Sequence, residues 1–211
     1  MSLILDLLFP VKCLNCGTKG QYLCQKCLSL QKTNQPKYID KLSKEGSLSL
    51  FRYEFLIKKA ISELKYHFVT DLAEELAIIS ANLIKINFPH LLQYWQKNNF
   101  VIIPIPLYVT RQNWRGFNQS ILLGQKIAQK LDLSFCDHTI FRQRHTFTQA
   151  KIKNISNRHQ NLNQAFKSIF PLPQNIILFD DVASSFSTLN SAYQSLNFAA
   201  PNHCWYLTLA G

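Results

Sequence analysis

Two sets of side chains in this 211-residue chain are suited to chemistry. The first is Cys13-Leu-Asn-Cys16 and Cys24-Gln-Lys-Cys27, two CxxC pairs separated by seven residues that include Gly17 and Gly20. Two such turns can bring four thiolates into a tetrahedron around Zn²⁺, a structural site with no open coordination position. A redox dithiol competes with this reading, but two pairs this close are better explained by one shared ion. Cys136 and Cys204 stand alone, which argues against a disulfide framework. The second set is Asp180 and Asp181, which follow the apolar run Ile176–Phe179 and lead into Val182, Ala183, Ser184, Ser185, Phe186, Ser187 and Thr188. Paired carboxylates at the carboxyl end of a strand can hold a polyol or a metal, and a helix N-terminus just beyond them suits a phosphate. Acids at strand ends also cap turns, and on this stretch alone that reading stays open.

The charge is unevenly spread. Of the net +11, residues 108–167 supply +8, with 10 Lys/Arg against 2 Asp/Glu, and they hold five of the six arginines: Arg111, Arg115, Arg142, Arg144 and Arg158. Arginine presents a planar fork that matches phosphate oxygens, so this block beside an acid pair points to a phosphorylated metabolite or nucleic acid. A solvated basic face is the competing reading. Tyr108, Trp114, Phe117, Phe141 and Phe147 interleave with the arginines, a pattern that suits stacking on single strands, although aromatics in a chain this rich in them also serve as core.

Strands and helices must position these groups. Leu48 and Leu50 alternate with polar neighbours as a weak strand or hairpin edge. Leu56, Ala60, Ile61, Leu64 and Phe68 mark one helical face, and Leu72, Ala73, Leu76, Ala77, Ser80, Leu83 and Ile84 mark a second, with Asp71, Glu74 and Glu75 at its N-terminal end. Phe100–Ile105 is a β-branched run stopped by proline, which fits a buried parallel strand. The spacing predicts a further helix over 121–131, a strand over 175–179, a helix from Thr188 and a last strand over 203–210. Apolar strands alternating with amphipathic helices imply an α/β fold with a mostly parallel sheet covered on both faces. Residues 1–30 read as a small zinc-ribbon-like module, 31–47 as a polar linker and 48–211 as the main domain. No apolar run approaches the roughly 20 residues of a membrane-spanning helix, and the expected location is the cytoplasm.

Between the strand at 100–105 and the next helix, Arg111, Arg115, Gly116, Asn118 and Gln119 form an expected anion-binding loop. The string PIPLYVTRQNWRGFNQS (104–120), the pattern Arg142-x-Arg144-x-Thr146-x-x-Gln149, the segment Arg158–Phe166 and ILFDDV (177–182) together closely resemble the ComF family. The likeness runs from the CxxC pairs to the final LTLA. It implies a type I phosphoribosyltransferase-like domain behind a zinc ribbon. It also implies that Asp180 and Asp181 bind the ribose of phosphoribosyl pyrophosphate, and that Ala183, Ser184, Ser185, Ser187 and Thr188 wrap its 5′-phosphate. Arg111, Arg115 and the Gly116–Gln119 segment would then lie near the pyrophosphate, bridged by Mg²⁺. An association with natural competence, single-stranded DNA and other competence proteins comes with the resemblance. Two other functions stand beside it: a non-enzymatic single-stranded nucleic-acid-binding accessory, and a nucleobase salvage transferase.

The chain departs from the family pattern at two glycines. Phe186 occupies the glycine position of the phosphate loop, and Phe68 follows Lys65-Tyr66-His67 where glycine usually stands. A bulky residue at positive φ is an outlier, so the departures imply a remodelled loop or a weakened nucleotide site. His67 reads as a structural histidine at a helix end.

Overall fold

The computed structural model describes residues 10–40, 45–143, 165–168, 171–183, 186–196 and 201–211. Arg144, Thr146, Phe147, Gln149, Arg158, Ser184 and Ser185, singled out above, lie outside the described residues.

Eight strands occur among the described residues: β1 (Lys37–Asp40), β2 (Glu45–Phe51), β3 (Val101–Pro104), β4 (Ser134–Phe135), β5 (Ile140–Arg142), β6 (Phe166–Ser168), β7 (Asn175–Val182) and β8 (His203–Ala210). Six of them form a sheet in the order β1-β2-β8-β7-β3-β4. β2, β8, β7, β3 and β4 run parallel, and β1 adds antiparallel to β2. β2 is therefore an inner strand of this sheet and not its edge. β1 and the start of β2 fall within the 31–47 stretch, and Asn34 and Lys32 also bond to Leu50 and Arg52, so that stretch carries the sheet's antiparallel margin.

Strand alternation sorts the core into two layers, as a period of two requires. Ile102, Ile177, Phe179, Trp205, Leu207 and Leu209 face one layer, and Ile103, Ile176, Leu178, Cys204 and Tyr206 face the other. The first layer is covered by α2 (Phe55–Tyr66), α3 (Leu72–Asn87), α4 (Pro89–Lys97) and α6 (Gln119–Leu131). The second is covered by α7 (Ser187–Gln194) and the β5–β6 pair. Gly124 lets α6 lie close on the sheet: a Cβ there would stand 3.0 Å from the Phe179 ring.

Three local readings are corrected. Phe68 is not on the face of α2, which ends at Tyr66; Phe68 follows it at φ 58 with about half its surface exposed. Residues 106–119 are not one loop, because Val109–Arg115 forms a short helix, α5, closed by Gly116 at φ 73. α4 is a whole helix that the periodicity reading passed over. Its proline at the first helical position, where no intrahelical N–H is needed, was the available signal.

Candidate functional site

At the N-terminal end, Gly17 and Gly20 adopt φ 76 and 103, conformations with no steric penalty for glycine, and turn the two CxxC segments toward each other. α1 (Gln25–Leu28) starts at the second pair. The four Sγ atoms lie within 4.8 Å of one another, and Cys16 Sγ is 3.5 Å from Cys24 Sγ. Thiolates at about 2.3 Å from a tetrahedral zinc stand about 3.8 Å apart, so the four cysteines fit one such ion. Cys13, Cys24 and Cys27 are buried, and Cys16 is exposed. The module is anchored by Glu75 on α3, whose carboxylate accepts from the backbone N–H of Tyr22 (2.8 Å) and Leu23 (2.6 Å). Lys59 on α2 donates to the Leu14 carbonyl at 2.7 Å.

The second site forms at the carboxyl end of β7. Asp181 is 3% exposed and Asp180 is half-buried. Lys65, from the last turn of α2, makes an ion pair with Asp181 Oδ2. Ser120 Oγ donates to Asp180 Oδ1 at 2.8 Å, and the Asp181 backbone N–H donates to the same oxygen at 2.9 Å. Burial, then the neighbouring Asp181 charge, raises the Asp180 carboxyl to about 7, against the opposing pull of Lys65 and Ser120. Burial presses the Lys65 ammonium down, but the Asp181 charge and hydrogen bond, with Asp180, leave it above the usual lysine value. Lys65 thus answers the Asp181 charge, and Asp180, raised to about 7, is only partly ionised at neutral pH.

Arginines surround this pair. Arg115 is buried, donates to Gln119 Oε1 and lies with its guanidinium carbon 5.4 Å from the Tyr66 ring centroid. Burial lowers its pKa, and its Nε is buried without a hydrogen-bond partner among the described residues. Gln119 reaches Asp181 Oδ1 at 3.4 Å. Arg142 lies 5.2 Å over the Phe166 ring and is lowered to about 10, first by burial and then by the charge of Arg111, while Asp180 pulls the other way. Arg111, Arg142 and Asp180 are therefore electrostatic neighbours.

The expected anion residues divide into groups. Arg115 and Gln119 join the acid pair directly or in series, whereas Asn118 caps α6 by accepting from Ser120 N at 2.9 Å and donates to the Ile105 carbonyl at 3.1 Å. Gly116 closes α5. Ala183 is buried, and its N–H bonds the Ala210 carbonyl at 3.0 Å. Ser187 and Thr188 open α7. Phe186, just before them, sits at φ 53 and ψ 4, and its ring lies 6.1 Å from that of Tyr206, nearly parallel. Both phenylalanines at family glycine positions thus keep the left-handed backbone that glycine would adopt without strain. A cleft of about 140 Å³ opens beside this loop, lined by Asn34, Lys37, Ser49, Ala183, Phe186 and Gly211 among others, and not by the acid pair.

Lys65 and Ser120 are site members that the sequence does not single out as ligand residues, whereas Arg142 belongs to the Arg142-x-Arg144 pattern. Lys65 stood in a stretch noted for its glycine departure. Ser120 directly follows the loop motif, and nothing in its identity separates it from an ordinary first-turn serine. His67 is exposed and pairs with Glu63 at 2.9 Å, as a helix-end residue does.

A mostly parallel α/β sheet with an acid pair at the end of a central strand, arginines around it and an N-terminal four-cysteine cluster that could hold a metal ion defines an α/β protein with a small cysteine module. No family model matches the chain. Competence protein F of Haemophilus influenzae is 32% identical over 196 residues, covering 86% of this chain and 76% of that protein. DNA utilization protein YhgH of Salmonella typhi is 37% identical over 110 residues, 50% of this chain and 48% of that protein; YhgH of Escherichia coli K12 is 34% identical over 109 residues. The chain belongs to the ComF family.

Proposed function

We propose that this protein serves competence and DNA utilization, as the names of its relatives state for them, by binding phosphoribosyl pyrophosphate or a closely related phosphorylated ligand at the Asp180–Asp181 site. The observation that carries this reading is the acid pair at the carboxyl end of β7, where parallel sheets bind ligands, with Lys65, Ser120 and Gln119 bonded to it. The carboxylates would accept from ribose hydroxyls, and Arg111, Arg115 and Arg142 would face the phosphates. The hard oxygen donors of the pair suit Mg²⁺, which would be held on Asp180 and Asp181 and would neutralise pyrophosphate charge. Arginine charge beside a departing pyrophosphate is the electrostatic support that phosphoribosyl transfer requires. In the N-terminal module, Cys13, Cys16, Cys24 and Cys27 would hold Zn²⁺ as a structural ion. Phe186 takes the left-handed backbone at the family's glycine position, which costs about 1–2 kcal/mol in a non-glycine residue, and a loop remodelled there goes with weak or lost transferase activity. Calorimetry with phosphoribosyl pyrophosphate and Mg²⁺, on the parent and on an Asp180→Asn/Asp181→Asn variant, tests the site. Heat from the parent alone supports the reading, and no heat from the parent removes it.

A further inference from the structure

The two acids of the site are not equally open. Asp181 has both oxygens engaged: Oδ1 accepts from Gln119 Nε2 at 3.4 Å, and the buried Oδ2 is held by the Lys65 ammonium. Its side chain is 4% exposed and that of Lys65 is 19%, so the lysine is the more accessible member of the ion pair. Asp180 is half-buried, and it accepts from Ser120 Oγ and from the Asp181 amide on Oδ1, which leaves Oδ2 outside these bonds. A ligand arriving from solvent therefore meets Asp180 open and Asp181 closed. It reaches Asp181 Oδ2 only if Lys65 moves, because the ammonium already stands in contact with that oxygen.

Lys65 can move without unfolding its surroundings. Its charge sits on a flexible four-carbon stem, one residue before α2 ends at Tyr66. It cannot simply depart, because Asp181 would then be a buried charge without a partner, which is strongly unfavourable. Departure is favoured when an incoming cation or hydroxyl donor replaces the ammonium on Asp181 and an anion receives it. A phosphorylated sugar with its metal offers both. Against the desolvation that burial imposes, Asp181 and then Asp180 hold Lys65 in its charged form, so the ammonium lies in the field of the whole pair, in the role that a divalent cation would take. We infer that Lys65 is an exchangeable counter-ion, which closes Asp181 in the free protein, yields Oδ2 when the ligand and its metal bind, and then turns its ammonium to the ligand's phosphates. The inference rests on the reading of the acid pair as a phosphorylated-ligand site and adds the residue that gates it.

Mn²⁺ alone is the probe, because its binding is read from the loss of the free ion's electron paramagnetic resonance signal and does not need phosphoribosyl pyrophosphate. The parent should bind it weakly at the acid pair, and Lys65→Met should bind it at least about tenfold more tightly, with the competing charge gone. Lys65→Arg, which keeps the charge, should resemble the parent, and Asp181→Asn added to Lys65→Met should remove the gain. In the parent itself, acylation of lysines read by mass spectrometry should find Lys65 slow beside the exposed Lys58, and saturating Mn²⁺ should speed its reaction. Equal Mn²⁺ affinity in the parent and in folded Lys65→Met overturns the exchange, and so does Lys65 acylation that Mn²⁺ leaves unchanged. Either result beside normal phosphoribosyl pyrophosphate binding leaves the site standing without its gate. Tightened Mn²⁺ binding in Lys65→Met without any phosphoribosyl pyrophosphate binding supports the exchange and removes that ligand, so the two readings fail separately.

Discussion

Replacing Asp180 by asparagine removes one charge from the acid pair and keeps its shape. It also keeps the oxygen that accepts from Ser120 Oγ and from the Asp181 amide. In the folded protein the Asp180 carboxyl titrates at about 7, against 3.8 for an unhindered aspartate. Between those values the folded state holds a proton that the unfolded state has released, so parent stability falls as pH rises through that window. A rise of about three units corresponds to about 4 kcal/mol. Water reaching the half-buried carboxylate reduces this to an expected 1–3 kcal/mol. Asp180→Asn has no such loss. Urea unfolding should therefore find the variant more stable than the parent by about 1–3 kcal/mol at pH 8, with the two converging near pH 4. The same substitution should abolish ligand binding at the site, because an acid held at a stability cost is a mark of function. A variant less stable than the parent at pH 8, or a difference independent of pH, would refute the electrostatic account of the pair.

Lys65→Met leaves the nearly inaccessible Asp181 without its counter-charge and should destabilise the fold by about 2–4 kcal/mol, with much of the loss recovered in Lys65→Met/Asp181→Asn; thermal unfolding measures both. Glu75→Ala strips two backbone N–H groups of their acceptor and should lower stability by about 1–3 kcal/mol. Faster amide exchange should be confined to the N-terminal module, and uniform exchange across the sheet would contradict the anchoring role. Purified protein should carry one zinc per chain by metal analysis, and chelation should unfold residues 11–28 while β7 and β8 stay protected. Metal-free protein with a preserved module would return the cysteines to redox chemistry.

Much of this protein is legible in its residues because the signals are local. CxxC spacing and two glycines determine a four-thiolate cluster, and an apolar run ending in two acids determines a central strand with carboxylates at its mouth. The residues matching the family pattern located two positions where backbone must turn left-handed, and the structure shows phenylalanine adopting that conformation at both. The tertiary structure alone decided what meets across the chain. Lys65 and Asp181 are 116 residues apart in sequence (181 − 65), and no periodicity reports that pairing. The same holds for the buried arginine behind Tyr66, the Glu75 anchor under the cysteine module, and the gathering of Tyr66, Phe68 and Trp114 into one exposed surface. A residue's type states which interactions it can make. Only the packing of α2 and α5 on the sheet states which of them are made, because burial and charge neighbours are properties of the folded arrangement and not of the residue.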